Sequence, residues 1–224
     1  MDIIANLDQI EANVMRACTE AGRRFQDVEI VAATKCQSAE TLAELSKDGR
    51  IKIFGENRVQ ELLEKYREEY TFDMIGQLQT NKVKYIIDKV RLIQSVDRDS
   101  LAKEINRLAE KHGKIQKILV EVNSGNEAQK GGVSPDSLEE FVDSLKIYPN
   151  ISVVGLMAVA PLGVDERELG KLFTNVYRAY EKLKKEKEEI RYLSMGMSHD
   201  YELAIRCGAN LIRPGRALFG ERNQ

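Results

Sequence analysis

The sequence lacks the features that mark membrane, secreted and metal-binding proteins. None of its apolar runs approaches the roughly 20 residues needed to cross a bilayer, and its N-terminal stretch has no basic or apolar segment of signal-peptide type. The three cysteines are odd in number and lack the spacing of metal ligands. A net charge of −2 argues against a nucleic-acid-binding surface. We therefore expect a cytoplasmic protein without metal, membrane or nucleic-acid partners.

Phosphate loops of the GxGxxG and P-loop types are missing too, as are linkers and low-complexity segments. The chain instead repeats one unit, a short apolar run followed by a stretch with helical spacing of its apolar residues. A further helical pattern, from about Ile3 to Arg23, precedes the first repeat. Because no break in composition separates two parts, we expect one domain over residues 1–224.

Short apolar runs provide the strand candidates. They are Val28–Ala33, Lys52–Phe54, Phe72–Ile75, Leu92–Ser95, Ile118–Val122, Val153–Met157, Tyr192–Ser194 and Leu211–Arg213. Alternating strands and helices predict an α/β fold with a parallel sheet and helices outside it. Eight such units, counted from this set, predict a single (β/α)8 barrel of the TIM type with an extra N-terminal helix. An open, doubly wound sheet is the alternative, since counting units does not prove closure.

Helical patterns lie between the strand candidates. They cover Ser38 to Leu45, Asn57 to Glu69, Thr80 to Lys89, Asp99 to His112, Ser134 to Leu145, Asp165 to Glu189 and His199 to Cys207. Pro135 suits the first position of its helix, where no backbone donor is needed. Gly22, near the end of the N-terminal pattern, and Gly208, directly after Cys207, suit helix ends.

Lys35 follows the first strand candidate, so a barrel would place its amine at the carboxyl-terminal face, where active sites lie. The segments 194–198 and 213–216 follow the last two strand candidates and offer small residues and backbone N–H groups. A phosphate site in these two loops recurs on this fold. An amine opposite anion-binding loops predicts pyridoxal 5′-phosphate (PLP), held as a Schiff base on Lys35. The competing interpretation is a solvated loop lysine.

Other residues at the predicted strand ends suit the same cofactor. Ser198 can donate its hydroxyl to a phosphate, and Gly215 lets the backbone come close. Arg213 is a candidate partner for the pyridine nitrogen, where an arginine would leave a weak electron sink; an ion pair at the barrel rim is the alternative. Lys82 and Lys130 are candidate secondary acceptors during transfer of the cofactor.

Several sequence blocks resemble those of the pyridoxal phosphate homeostasis protein family. The blocks are residues 31–35, 54–61, 75–82, 155–158, 194–200 and 213–220, which follow the family's order and span nearly the whole chain. This family is similar in turn to the N-terminal barrel of alanine racemase, the fold-type III class of PLP proteins. One departure is visible, since Phe72-Asp73 stands where the family often has Trp-His.

The resemblance implies that Lys35 bears the cofactor, that Ser198 and the backbone of Gly215 and Arg216 bind its phosphate, and that Arg213 faces the pyridine nitrogen. Asn57 would line the pocket. The family implies PLP binding and homeostasis without robust turnover, so we expect no catalytic residues. We also expect a monomer, with PLP-dependent apoenzymes as candidate partners.

Two other functions remain open from the sequence. A small PLP-dependent amino-acid racemase is the first, although racemases of this fold usually carry a second domain that supplies a tyrosine. The chain ends soon after its eighth unit, so we expect that domain to be absent. The second is a barrel enzyme that acts on a sugar phosphate without PLP.

Overall fold

Eight parallel strands close into a barrel in the computed structural model, which describes residues 2–125, 131–161 and 163–220. In chain order they are β1 (Glu29–Ala33), β2 (Ile53–Glu56), β3 (Thr71–Met74), β4 (Val90–Val96), β5 (Gln116–Val122), β6 (Ile151–Ala158), β7 (Tyr192–Ser194) and β8 (Leu211–Ile212). Each strand pairs with the next, and β8 pairs with β1. The closed barrel is therefore confirmed, and the open sheet is wrong.

Helices surround the barrel. The α-helices of the described chain are α1 (Ile3–Glu20), α2 (Ala39–Asp48), α3 (Val59–Lys65), α4 (Asp99–Lys111), α5 (Leu138–Ser144), α6 (Glu166–Glu186), α7 (Tyr201–Arg206) and α8 (Arg216–Phe219). Short 3-10 helices cover Phe25–Asp27, Thr80–Tyr85, Pro135–Ser137 and Leu145–Ile147. The predicted N-terminal helix is α1, which Asp2 caps by accepting hydrogen bonds from the N–H groups of Ile4 and Ala5.

Strands of this barrel are buried on both faces, which explains why they appear in the sequence as short continuous apolar runs. The interior is filled by a small apolar cluster of Val31, Ala33, Ile53, Ile75, Leu92, Leu119, Val154, Met157 and Leu211. A much larger cluster lies between the outer face of the sheet and the helices. Burial on two faces makes the barrel a packed core, and ligands must bind at its ends.

Two predicted helices differ in the structure. The segment predicted as a helix from Thr80 to Lys89 is a 3-10 helix that ends at Tyr85. Its buried residue Val83 and the buried C-cap residue Ile86 lie three positions apart, which suits three residues per turn. The helix predicted from Ser134 is capped there and has Pro135 in its first turn, but that turn is 3-10 and the α-helix begins at Leu138.

The remaining differences are at helix ends. The helix predicted to begin at His199 begins at Tyr201, because Asp200 takes the N-cap position. The helix predicted over Asn57 to Glu69 is shorter at both ends, and Lys65 is its last residue. The short helix α8 was not predicted, since four residues are too few to show a period.

Gly155 allows β6 to pass close to β7. A Cβ atom at this position would lie 1.9 Å from the Tyr192 carbonyl oxygen. We predict that Gly155→Ala lowers the free energy of unfolding by about 3 kcal/mol or more, because the clash is with backbone that cannot move cheaply. Urea unfolding followed by circular dichroism measures this change.

Gly170 provides the matched control. It lies inside α6, where an added Cβ would meet its nearest neighbour, Leu203 Cδ1, at 3.9 Å. We expect Gly170→Ala to stabilise the protein by about 0.5–1 kcal/mol, because alanine loses less conformational entropy in a helix. Equal unfolding free energies for the two variants would contradict the packing described here.

Candidate functional site

Barrel closure places the end of β1 beside the loop that follows β8. The Ala33 N–H donates to the Pro214 carbonyl oxygen at 2.9 Å. A Cβ atom on Gly215 would lie 3.3 Å from the Ala33 carbonyl oxygen, so the two segments touch. Lys35, half-buried in the turn after β1, is two residues from this contact. Residues separated by most of the chain therefore meet at the carboxyl-terminal end of the barrel.

Two backbone amides converge on the hydroxyl of Ser198. The N–H groups of Gly215 and Ala217 each donate to Ser198 Oγ at 3.0 Å. A hydroxyl oxygen that accepts two hydrogen bonds still has its own hydrogen to donate. These amides come from the loop after β8 and the first turn of α8. The exposed Arg216 lies between them in the chain.

The loop after β7 requires glycine at position 196. Gly196 has a φ of +92°, and a Cβ there would lie 2.7 Å from Tyr201 Cα. This close approach of the loop to α7 fixes the position of Ser198 two residues later. The loop after β8 is held to it, because the Arg213 N–H donates to the Gly196 carbonyl oxygen at 2.9 Å.

Arg213 is almost completely buried at the end of β8, with an exposed fraction of 3%. Its Nη2 donates to the Ala158 carbonyl oxygen at 2.9 Å, and its Nη1 donates to Ser194 Oγ. Burial lowers the pKa of Arg213 to about 10, against the opposing charges of Asp200 and Glu121, so the guanidinium is still charged at neutral pH. The structure places Arg213 within the barrel end, where its guanidinium binds the oxygen atoms of Ser194 and Ala158.

A line of polar side chains continues from Arg213 into the barrel. Ser194 Oγ donates to Gln94 Oε1 at 2.7 Å, and Gln94 Nε2 donates to Asp73 Oδ2 at 2.8 Å. Ser194, Gln94 and Asp73 are fully buried. In this line each residue donates a hydrogen bond to the next one inward from Arg213. The orientation of the Arg213 guanidinium is therefore coupled to the buried side chains of Ser194, Gln94 and Asp73.

The line ends at the opposite mouth of the barrel. Arg91 donates to both oxygens of Asp73, at 2.9 and 2.7 Å, and its Nη1 is 2.9 Å from both oxygens of Glu29. Burial raises the pKa of Asp73, while the hydrogen bonds from Arg91 and Gln94 act in the other direction. Asp73, which departs from the family pattern, is thus a structural acceptor within the barrel.

Sequence reasoning missed this polar line. A signal was present, because Asp73 and Gln94 interrupt the two apolar runs that predicted β3 and β4. Polar residues inside strands that are buried on both faces need buried partners. The sequence does not say which residues those partners are.

The remaining predicted residues lie near the same end of the barrel, except for one outside the described chain. Asn57 is half-buried after β2, and a Cβ on Gly76 would lie 2.4 Å from its carbonyl oxygen, so the loops after β2 and β3 are in contact. Lys82 is half-buried on a 3-10 helix, with its Nζ 5.8 Å from the ring centre of Tyr85. Lys130 lies outside the described residues.

A cavity of about 210 Å³ with a mixed polar and apolar lining opens at the carboxyl ends of β3, β5 and β6. Gln77, Glu121 and Asn123 are among the residues that line it. Burial raises the pKa of Glu121, and the charge of Asp97 adds to this effect while Arg213 opposes it.

The described residues form neither a metal site nor a membrane-spanning helix. No group of three or more His, Cys, Asp or Glu side chains in this part of the chain is arranged to hold a metal ion. Among the same residues, no helix has both the length and the apolar character to cross a membrane.

Comparison with known proteins first defines the class. A family model described as the alanine racemase N-terminal domain matches residues 5–223. The alanine racemase of Clostridium difficile 630 has a similar fold, with a TM-score of 0.75 at 18% identity over 100% of this chain and 57% of the racemase. The barrel is thus that of the racemase N-terminal domain.

Closer relatives define the family. The pyridoxal phosphate homeostasis protein of Aquifex aeolicus (strain VF5) is 40% identical, over 99% of both chains, and that of Escherichia coli (strain K12) is 31% identical, over 99% of this chain and 97% of the other. PipY of Synechococcus elongatus PCC7942, solved with PLP bound, is 32% identical with a TM-score of 0.78, over 87% of this chain and 93% of PipY. The chain belongs to the pyridoxal phosphate homeostasis protein family.

Removal of the Asp73 carboxylate should leave Arg91 partly unpaired inside the barrel. We expect Asp73→Ala to lower the free energy of unfolding by about 3 kcal/mol, the lower end of the range for a broken buried pair, because Glu29 still binds the guanidinium. The exposed pair of Lys182 and Glu139, with exposed fractions of 56% and 54%, is the control. Glu139→Ala should change stability by less than about 1 kcal/mol. Similar urea midpoints for both variants would contradict a structural role for Asp73.

Proposed function

We propose that this protein binds PLP and takes part in its cellular homeostasis, with the cofactor attached to Lys35. One observation carries the proposal, namely that closure of the barrel sets the strand end of Lys35 against the loop whose amides converge on Ser198. The names of the relatives and the PLP bound to PipY support the same ligand. When bound, PLP supplies a reactive aldehyde and an aromatic ring that can accept electrons.

The phosphate group fits the cradle at Ser198. A phosphate monoester carries about −1.5 to −2 charges at neutral pH, and its oxygens need several donors. The hydroxyl of Ser198 and the backbone N–H groups of Gly215 and Arg216 would provide them. Because the Gly215 and Ala217 N–H groups donate to Ser198 Oγ, they hold this hydroxyl in place and leave its own hydrogen to donate to a phosphate oxygen.

Lys35 would hold the cofactor covalently. Its amine, when neutral, would be the nucleophile that the aldehyde of the cofactor requires for covalent attachment. Asn57, which follows β2 next to β1, would line the same pocket. The half-buried position of Lys35 limits the access of bulk water to the bond.

Arg213 would face the pyridine nitrogen. An arginine is always a donor and never an acceptor, so it binds an unprotonated ring nitrogen and disfavours ring protonation. The two hydrogen bonds to Ser194 and Ala158 fix the guanidinium and leave further N–H groups for a ligand. A ring held in this way is a weak electron sink, which suits storage of the cofactor better than carbanion chemistry.

These features favour a binding protein over a racemase. A racemase needs a base on each face of the substrate, and Tyr201, the tyrosine that follows Ser198 most closely, has its hydroxyl bonded to Asn13 Nδ2 on α1 at 2.9 Å. We propose further that residues 1–224 act as one cytoplasmic, monomeric domain. PLP-dependent apoenzymes are the proposed recipients of the cofactor.

Reduction of the PLP-loaded protein with borohydride should label Lys35, because the phosphate cradle and the strand end together fix the aldehyde next to this amine. Peptide mapping by mass spectrometry gives the labelled residue. In Lys35→Met the covalent label should fall to background, whereas Lys52→Met, which changes an exposed lysine just before β2, should keep it. Label found mainly on Lys82 or Lys130 would show that the assignment is wrong.

Exchange of the Cα proton tests the alternative function. With PLP bound, the protein should exchange the Cα proton of L-alanine little faster than free PLP does, because the electron sink is weak. Deuterium incorporation followed by NMR measures the rate. A turnover on the order of 1 s⁻¹ or more, which is the range of ordinary enzymes, would favour the racemase.

A further inference from the structure

The backbone on both sides of Lys35 is bound to one cluster of charged side chains. Lys65 Nζ donates to the Thr34 carbonyl oxygen at 2.8 Å, and the Cys36 N–H donates to Glu61 Oε2 at 2.6 Å. The Thr34 hydroxyl also donates to Glu56 Oε1 at 2.6 Å. Three hydrogen bonds thus hold the residues that immediately precede and follow the cofactor-attachment residue.

Members of this cluster also bind one another. Lys65 Nζ lies 2.8 Å from Glu56 Oε1 and 3.4 Å from Glu61 Oε2. Glu56 is the last residue of β2, while Glu61 and Lys65 lie one turn apart on α3. Both Glu56 and Lys65 are buried, so each charge depends on its partners for the solvation that water would otherwise give.

The electrostatics keep Glu61 in the form that accepts a hydrogen bond. Burial raises the pKa of Glu61, but the Cys36 N–H and the charge of Lys65 lower it by more, so the net pKa is below its ordinary value. Glu61 is therefore a carboxylate at neutral pH. Its hydrogen bond to Cys36 is charge-assisted, which makes it stronger than a bond between neutral groups.

Cys36 has a backbone conformation that needs such support. Its φ is +63°. Among the residues that the structure describes, no other non-glycine residue has a positive φ. A side chain at this angle crowds the backbone, so the conformation persists where the surrounding structure fixes it. The bond from Cys36 to Glu61 joins the strained residue directly to α3.

The cluster contacts the side of the chain that faces away from the barrel interior. Ala33 belongs to the apolar cluster inside the barrel, whereas the next residue, Thr34, donates its hydroxyl to Glu56 at the end of β2. Glu56 therefore binds Thr34 on the side opposite to that of Ala33.

We infer that Glu56, Glu61 and Lys65 form a positioning cluster, which holds the turn around Lys35 so that its amine meets the aldehyde of a phosphate-anchored ligand. The inference rests on the proposed function. None of the three residues would touch the cofactor. Their loss should reduce covalent attachment and leave non-covalent binding at Ser198 and Arg213 almost unchanged.

Two conservative substitutions of Glu61 separate its reach from its charge. Glu61→Asp keeps the charge beside Lys65 but shortens the side chain, so the bond to Cys36 is lost. Glu61→Gln loses the charge but keeps an oxygen within reach of the Cys36 N–H. Glu64→Asp makes the same shortening at an exposed position of α3 and is the control.

Dissociation constants are measured for PLP and for pyridoxamine 5′-phosphate, which has no aldehyde. We expect Glu61→Asp to weaken PLP binding about tenfold, the effect of one charge-assisted hydrogen bond, and to change pyridoxamine 5′-phosphate binding less than about twofold. Glu61→Gln should weaken PLP by about threefold, since a neutral acceptor is weaker. Glu64→Asp should match the unmodified protein.

Equal weakening of both ligands by Glu61→Asp, or the same result for Glu61→Asp and Glu64→Asp, would overturn the inference. A different result would contradict the proposed function itself. In that case the unmodified protein would show no borohydride-reducible bond between PLP and Lys35. Hydrogen exchange of the ligand-free protein gives a further test. The Cys36 amide should exchange about tenfold faster in Glu61→Asp than in Glu64→Asp, and unchanged exchange would also overturn the inference.

Discussion

The pairing of β8 with β1 closes the barrel and places the strand end of Lys35 beside the loop whose amides converge on Ser198. Only Glu29 and Ile30 pair with Leu211 and Ile212 in register, and the Ala33 N–H extends the contact to Pro214. Most of the sequence separates Lys35 from the loop after β8, so the two are far apart in space until the barrel closes. The entropic cost of bringing them together is met when the whole barrel folds. The binding energy of a ligand therefore does not have to offset it.

So short a strand needs support from outside the sheet, and α1 provides it. The Arg23 guanidinium, which follows α1, donates to the carbonyl oxygens of Ile205 and Ala209 at 3.0 and 2.7 Å. Asn6 Nδ2 donates to the Leu218 carbonyl oxygen at 2.9 Å. The N-terminal helix and the residue that follows it therefore bind the last repeat on both sides of β8.

Lys35 and Arg213 are held in different ways. The turn that carries Lys35 is held by charged side chains from the end of β2 and from α3, which bind Thr34 and Cys36. Arg213 depends on the interior, where a line of hydrogen bonds runs through the barrel to Arg91. In both cases buried polar groups are satisfied by partners from other elements. Such networks fix one geometry, which a site for a rigid aromatic ligand requires.

The sequence alone determined the order and type of the elements, because strand and helix periods are local properties. It also placed Lys35, Ser198 and Arg213 at the same end, since parallel strands carry their carboxyl ends together. Only the tertiary structure decided that the sheet closes, that Asp73 meets Arg91, and that Glu61 binds Cys36. The pairing of β3 with β4 shifts register after Phe72, and local patterns cannot encode such a shift. Contacts across the barrel depend on register and closure, which are properties of the whole chain.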